Sequence, residues 1–129
     1  MLREGIWLSI WGMFKKVVIA DNLAPLVEMT YSHPQPGALL LVLGTFAFAL
    51  QIYGDFSGYT DMARGSARLL GFELPPNFEQ PYLSRNIAEF WRTWHISLSN
   101  WLRDYLYIPL GGNRGDRWST YRNLMLTML

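Results

Sequence analysis

Between Gln51 and Arg114 the chain gathers the side chains that could carry chemistry: Asp55 and Ser57, then Arg92, Trp94, His95 and Ser99, then Arg103 and Asp104. These polar groups follow directly on an apolar run. Ionisable groups are costly beside or within a membrane segment, which makes them functional candidates by default. His95 stands out among them, because an ordinary imidazole pKa of about 6.5 suits it to general acid–base work near neutrality. The other histidine, His33, lies in a loop between Ser32 and Pro34 with no such company. Asp55 and Asp61 are six residues apart and would point to different sides of a continuous helix, so they do not make a catalytic carboxylate pair. Asp55 is expected to accept bonds from interrupted helix backbone or to pair with Arg92 or Arg103. Arg103 and Asp104 could equally form a local structural pair. Trp91, Trp94 and Trp101 read as packing residues more readily than as platforms for an acceptor. With no cysteine and two widely separated histidines, there is no metal-ligand spacing. The turn Gly111 to Gly115 is not a phosphate loop, since no strand and no Lys-Ser/Thr pair surround it.

The elements that must position these groups are helices. The chain has 129 residues, a net charge of +1 and 16% charged residues, averages that would suit a soluble domain. Their distribution does not. Met29 to Gly54 contains no Asp, Glu, Lys or Arg, and Gly37 to Tyr53 (GALLLVLGTFAFALQIY) is polar only at Thr45 and Gln51. Its length reaches the lower limit of about 17 residues for a membrane span. Six Trp and seven Tyr, many at the ends of apolar runs, fit the membrane–water boundary. The near-neutral charge gives no case for nucleic-acid binding. Lys15 and Lys16 interrupt the first apolar stretch, so it does not read as a signal peptide. With Arg3 they weakly favour a cytoplasmic placement of that region.

Along the chain, Ile6 to Ala20 is expected to be helical and His33 to Gly37 to be a loop. A spanning helix is expected from Ala38 to Tyr53, a break at Gly54 to Gly58, and a second helix from Tyr59 to Leu70 ended by Gly71. Leu74 to Leu83 reads as an extended loop. Asn86 and Glu89 make a capping-box pattern that opens the most legible helix. At 100° per residue, Ile87, Phe90, Trp91, Trp94, Leu98, Trp101, Leu102 and Tyr105 fall within roughly 60° of one line, with His95 on the border at about 80°. This predicts one continuous amphipathic helix at a membrane interface or along a polar cavity. The expected fold class is therefore all-α: a polytopic membrane helical bundle with one spanning helix, a broken or re-entrant helix and an amphipathic interfacial helix. The apolar run Leu124 to Leu129 stops after six residues, so residues 1–129 read as an internal part of a single membrane domain, truncated at both ends.

Four segments carry a family resemblance: Gln51 to Ala63 (QIYGDFSGYTDMA), Asn77 to Tyr82 (NFEQPY), Phe90 to Ser99 (FWRTWHISLS) and Gly12 to Asp21 (GMFKKVVIAD). They resemble the membrane-bound O-acyltransferase family. Trp101 to Arg114 (WLRDYLYIPLGGNR) resembles more narrowly its bacterial branch that O-acetylates alginate and related exopolysaccharides. The same branch includes enzymes acetylating peptidoglycan, and a neighbouring one transfers D-alanine to teichoic acids. The resemblance implies helices around a central reaction chamber in the bacterial cytoplasmic membrane, crossed several times. It implies an acetyl donor on the cytoplasmic side, acetyl-CoA, with no tightly bound cofactor. It further implies a polysaccharide acceptor reached through a periplasmic or extracellular acetyltransferase partner. His95 matches the first of two histidines of interest. The second, the catalytic one, is expected in a Trp-His-Gly-type motif beyond Leu129, leaving His95 to orient it, the donor or the acceptor. Asp55, Ser57, Arg92, Trp94, Ser99, Arg103 and Asp104 are the expected substrate-binding or chamber-lining residues. Thr93 and Gly54 depart from the family pattern, at places where an arginine and a larger residue are usual. Three rivals stand beside this reading: D-alanyl transfer, against which Ile108 to Arg114 argues, a non-catalytic scaffold, and a transporter.

Overall fold

A computed structural model describes residues 2–128, and they divide into two compact units between Pro76 and Asn77. The N-terminal unit is built from α1 (Leu2–Phe14), a π-helical stretch Lys15–Ala20, α2 (Asp21–Ser32) and α3 (Ala38–Leu69). The first three run on as one helical rod. His33 to Gly37 then leaves helical geometry, as its prolines require. α1 and the π-helical stretch pack antiparallel along α3.

What lies between these helices is almost entirely small. The buried positions are Gly5, Gly12, Lys15, Ala20 and Thr30 on one side, and Gly44, Ala47, Gly54, Ser57, Gly58, Thr60 and Gly65 on the other. The backbones approach so closely that a Cβ on Gly12 would stand 2.5 Å from the Gly58 carbonyl oxygen. The two threonine hydroxyls on this seam are satisfied within their own helix, Thr30 donating to the Leu26 carbonyl at 2.8 Å and Thr60 to that of Phe56 at 3.0 Å. Large apolar side chains face outward instead, among them Trp7, Leu39 and Phe46, the most exposed of these at 74%. Small residues inside and large apolar ones outside is how helices associate in lipid, where burying a leucine brings no hydrophobic gain. α3 is long and apolar enough to cross a membrane, the one such helix among the described residues. Its 32 residues extend about 48 Å at 1.5 Å each, well past the roughly 30 Å hydrocarbon core.

The expected break at Gly54 to Gly58 does not form. α3 is continuous from Ala38 through Leu69, so there is neither a re-entrant helix nor a separate one starting at Tyr59. A helix-interior glycine costs about 1 kcal/mol against alanine. Gly54 and Gly58 offset that by admitting the Lys15–Lys16 backbone, which a Cβ at Gly58 would meet at 3.1 Å. The helix does end at Gly71, which takes φ +88° while Gly71 and Phe72 donate to the Arg68 and Ala67 carbonyls.

The C-terminal unit consists of shorter pieces: a 3-10 turn Pro81–Leu83, α4 (Ile87–Thr93), α5 (Ile96–Leu102), a π-helical turn Arg103–Tyr107 and α6 (Arg117–Met128). Asn86 caps α4 as its sequence suggests, accepting from the Glu89 N–H at 2.8 Å, while Glu89 reaches back to the Arg85 N–H at 2.9 Å. The single continuous amphipathic helix is overturned, because the chain turns at Trp94–His95 between α4 and α5. Side-chain periodicity continues across that point while the backbone does not.

Candidate functional site

The turn between α4 and α5 is held by a segment twenty residues earlier. Phe78 and Trp94 form an isolated antiparallel bridge, and the Glu79 N–H donates to the Thr93 carbonyl at 3.0 Å. Asn77 accepts twice, its carbonyl from the Ile96 N–H at 3.0 Å and its side-chain oxygen from the Ser97 N–H at 3.1 Å. Between these anchors His95 adopts the left-handed conformation, φ 45° and ψ 54°. That geometry costs a non-glycine residue roughly 1–2 kcal/mol. Three hydrogen bonds at about 0.5–1.5 kcal/mol net each outweigh it. An aromatic cluster fixes the neighbouring indole. Trp94 meets Phe78 edge-on with centroids 4.9 Å apart and stacks on Phe90 at 5.5 Å and Tyr82 at 6.1 Å.

These elements leave a cavity of about 270 Å³ whose wall includes Trp94, His95, Ser99, Arg103, Tyr107 and Thr127. Four of the eight site residues expected from sequence therefore come together. Ser99 is an anchor more than a reactive group, since its hydroxyl lies 3.3 Å from the carbonyls of both Trp91 and Trp94. Thr127 likewise donates to the Asn123 carbonyl at 2.7 Å. His95 loses hydration in this wall, which lowers its pKa below the usual imidazole value and keeps the ring neutral at neutral pH. Arg103 brings a fixed positive charge to the rim. Its guanidinium holds Asp104 through two bonds of 2.8 and 3.2 Å, which pushes the Asp104 carboxyl down and the arginine up. Arg103 and Asp104 are thus the local pair that their adjacency allows.

The remaining expected residues lie elsewhere. Arg92 is exposed on α4 and does not line the cavity. Asp55 and Ser57 belong to α3 in the other unit. Asp55 pairs with Lys16 at 2.9 Å and lies on a continuous helix, so it has no interrupted backbone to accept from. Ser57 is buried on the small-residue seam, 2% exposed.

Several participants escape sequence reasoning. Lys15 is buried and bonds Asp61 at 2.6 Å, Asp61 also meeting Arg64 at 3.4 Å. The two lysines that look like open cytoplasmic charges are therefore held in ion pairs. A lysine breaking an apolar run and an aspartate inside a long apolar helix are the signals, but they lie 46 residues apart. Leu124, Thr127 and Met128 of α6 supply a cavity wall, legible only as their i, i+3, i+4 spacing. Asn123 fixes α6 to the glycine turn by donating to the Gly112 carbonyl at 3.1 Å, and Tyr107 bonds Asn113 in the same turn.

A helical unit with a lipid-type seam and a neighbouring unit with a histidine-bearing cavity define a membrane protein with a chemically equipped pocket. Residues 7–129 match the membrane-bound O-acyltransferase family, and the chain belongs to it. It is 55% identical over 126 residues to the Azotobacter vinelandii protein named probable alginate O-acetylase AlgI, covering 98% of this chain and 25% of that protein. It is 44% identical over 126 residues to the peptidoglycan O-acetyltransferase of Helicobacter pylori, covering 97% and 24%. With the teichoic acid D-alanyltransferase of Bacillus subtilis it shares 40% over 67 residues, covering 52% and 17%. The chain spans about a quarter of the length of the first two of these relatives.

Proposed function

We propose that the full-length protein is an O-acetyltransferase of the bacterial cytoplasmic membrane, crossing it several times and passing acetyl groups toward hydroxyls of an exported polysaccharide such as alginate. One observation carries this reading: 55% identity, over 126 residues and 98% of this chain, to a relative named as a probable alginate O-acetylase. D-alanyl transfer ranks below it, since the likeness to teichoic acid D-alanyltransferases is 40% over 67 residues in Bacillus subtilis and 34% over 117 residues in Streptococcus thermophilus. The acetyl donor in this reading is acetyl-CoA on the cytoplasmic side. A periplasmic or extracellular acetyltransferase partner completes transfer to the polymer.

Acyl transfer to a hydroxyl needs a base at the attacking oxygen and positive charge or N–H donors at the developing oxyanion. His95, neutral at neutral pH, is able to accept a proton or a hydrogen bond at the cavity wall. Arg103 supplies charge at the rim without change of protonation. The principal base is a histidine C-terminal to residue 129, and His95 orients it, the donor or the acceptor.

The test is genetic and chemical. Cells lacking the gene, and cells with it restored, are fed labelled acetate or labelled D-alanine, and label on the isolated exopolysaccharide and on teichoic acid is counted. Acetate label on exopolysaccharide that depends on the gene is the expected result. Gene-dependent D-alanine label with unchanged acetate would overturn it.

A further inference from the structure

We infer that Asn77 is a positioning residue for His95, acting as the cap of α5 in place of the histidine that occupies the cap position. The inference rests on the proposed role of His95 in acyl transfer.

The first N–H groups of a helix have no partner within it, and a side chain at the cap position ordinarily supplies one. Ser, Thr, Asp and Asn are the usual caps. α5 has His95 there, whose carbonyl accepts the first helical bond from the Ser99 N–H at 3.0 Å but whose side chain makes no capping bond. The first two donors of α5, Ile96 and Ser97, go to the carbonyl and the side-chain oxygen of Asn77. One residue from a distant loop thus satisfies both donors, and the imidazole lines the cavity without serving as a cap.

The same segment fixes the other side of the turn. Glu79 bonds Thr93, and Phe78 bridges Trp94 while its ring packs on that indole. His95 is therefore bracketed on both sides by Asn77, Phe78 and Glu79. Its left-handed backbone is one that a histidine keeps only when its surroundings over-determine it. Asn77 contributes a side-chain bond to this bracket while lying outside the cavity lining, which makes it a residue through which a mutation can loosen His95 without touching the cavity wall.

The experiment uses the full-length protein in its own membranes, with acetyl-labelled acetyl-CoA as donor and transfer normalised to folded protein. Asn77→Ala, Asn77→Asp, His95→Ala and the double variant Asn77→Ala/His95→Ala form the set. Asn77→Ala is expected to lower kcat by about 3- to 10-fold, the loss of one hydrogen bond, with KM for acetyl-CoA little changed. Asn77→Asp keeps the acceptor oxygen and restores kcat. In the His95→Ala background, Asn77→Ala should cost nothing further, because its effect runs through the imidazole. Should Asn77→Ala fail to accumulate, Asn77→Ser, whose oxygen is too short to reach Ser97 well, enters the same cycle. Multiplying losses in the double variant, or normal kcat for Asn77→Ala beside an impaired His95→Ala, would overturn the inference and leave the functional reading standing. Normal transfer by His95→Ala would overturn the inference together with the proposed role of His95, and would leave acetyl transfer by the full-length protein standing.

Discussion

The two units spend their polar residues in opposite ways. Before Pro76, charges are consumed by one another: Lys15 by Asp61, Lys16 by Asp21 and Asp55, Arg68 by Glu4. They sit on one continuous helical run, Lys15 and Lys16 in its π-helical stretch, and on α3, joined by a seam of glycine, alanine, serine and threonine. After Pro76, α4 and α5 are seven residues each, two non-glycine residues take positive φ, and polar groups open onto a cavity. Regular packing with closed ion pairs holds a membrane scaffold together. Irregular backbone with a histidine at its sharpest turn is where strain is kept for function. Mutations in the first unit should therefore remove protein, and mutations at the cavity should remove activity from protein that is still there.

The largest expected effect is on the seam. Gly12→Leu places a side chain whose Cβ alone would lie 2.5 Å from the Gly58 carbonyl oxygen and 2.7 Å from the Met62 nitrogen. Such overpacking against backbone costs 1–3 kcal/mol or more, about what a marginal fold can lose. Folded protein recovered from membranes should fall to near background. Next comes Asp61→Ala, which leaves Lys15 buried and unpaired. With both side chains less than one-fifth exposed, the cost is on the order of 3–5 kcal/mol. The double variant Lys15→Met/Asp61→Leu should recover most of the lost thermal stability in detergent. If it is no better than Asp61→Ala, the pair does not act as a closed unit.

A smaller effect is expected with pH. Desolvation lowers the pKa of folded His95, so below about 6.5 the unfolded chain binds the proton first and stability falls as pH drops. His95→Gln should flatten that acid loss, and in the unmodified protein the acid limb of acetyl transfer should lie below the ordinary imidazole value. A limb above it would mean that the ring is stabilised as a cation. The smallest effect belongs to Asp104→Asn. It removes an exposed pair with Arg103 and should leave thermal stability where it was.

Much of this division was legible in the residues, wherever the cause is local. Asn86 and Glu89 three positions on give the α4 cap, and Gly71 after Leu70 gives the helix stop. Pro34 and Pro36 open the loop before α3. What stayed hidden depends on partners far along the chain. Gly54 and Gly58 look like a break until α1 and the Lys15–Lys16 backbone lie against them. Periodicity runs unbroken from Ile87 to Tyr105, whereas the turn at His95 is imposed from Asn77. The site shows the same split. His95, Trp94, Ser99 and Arg103 were found as types in a motif, while the wall from α6 depends on the Asn123–Gly112 tether.

One paired measurement bears most directly on the contrast between the units: acetyl transfer per folded molecule, with membrane abundance recorded alongside, for full-length His95→Ala and Asp61→Asn. His95→Ala should lose transfer at normal abundance, and Asp61→Asn should lose abundance at normal transfer per molecule. The opposite pattern, an inactive but abundant Asp61→Asn beside a fully active His95→Ala, would contradict the assignment of scaffold to the first unit and chemistry to the second.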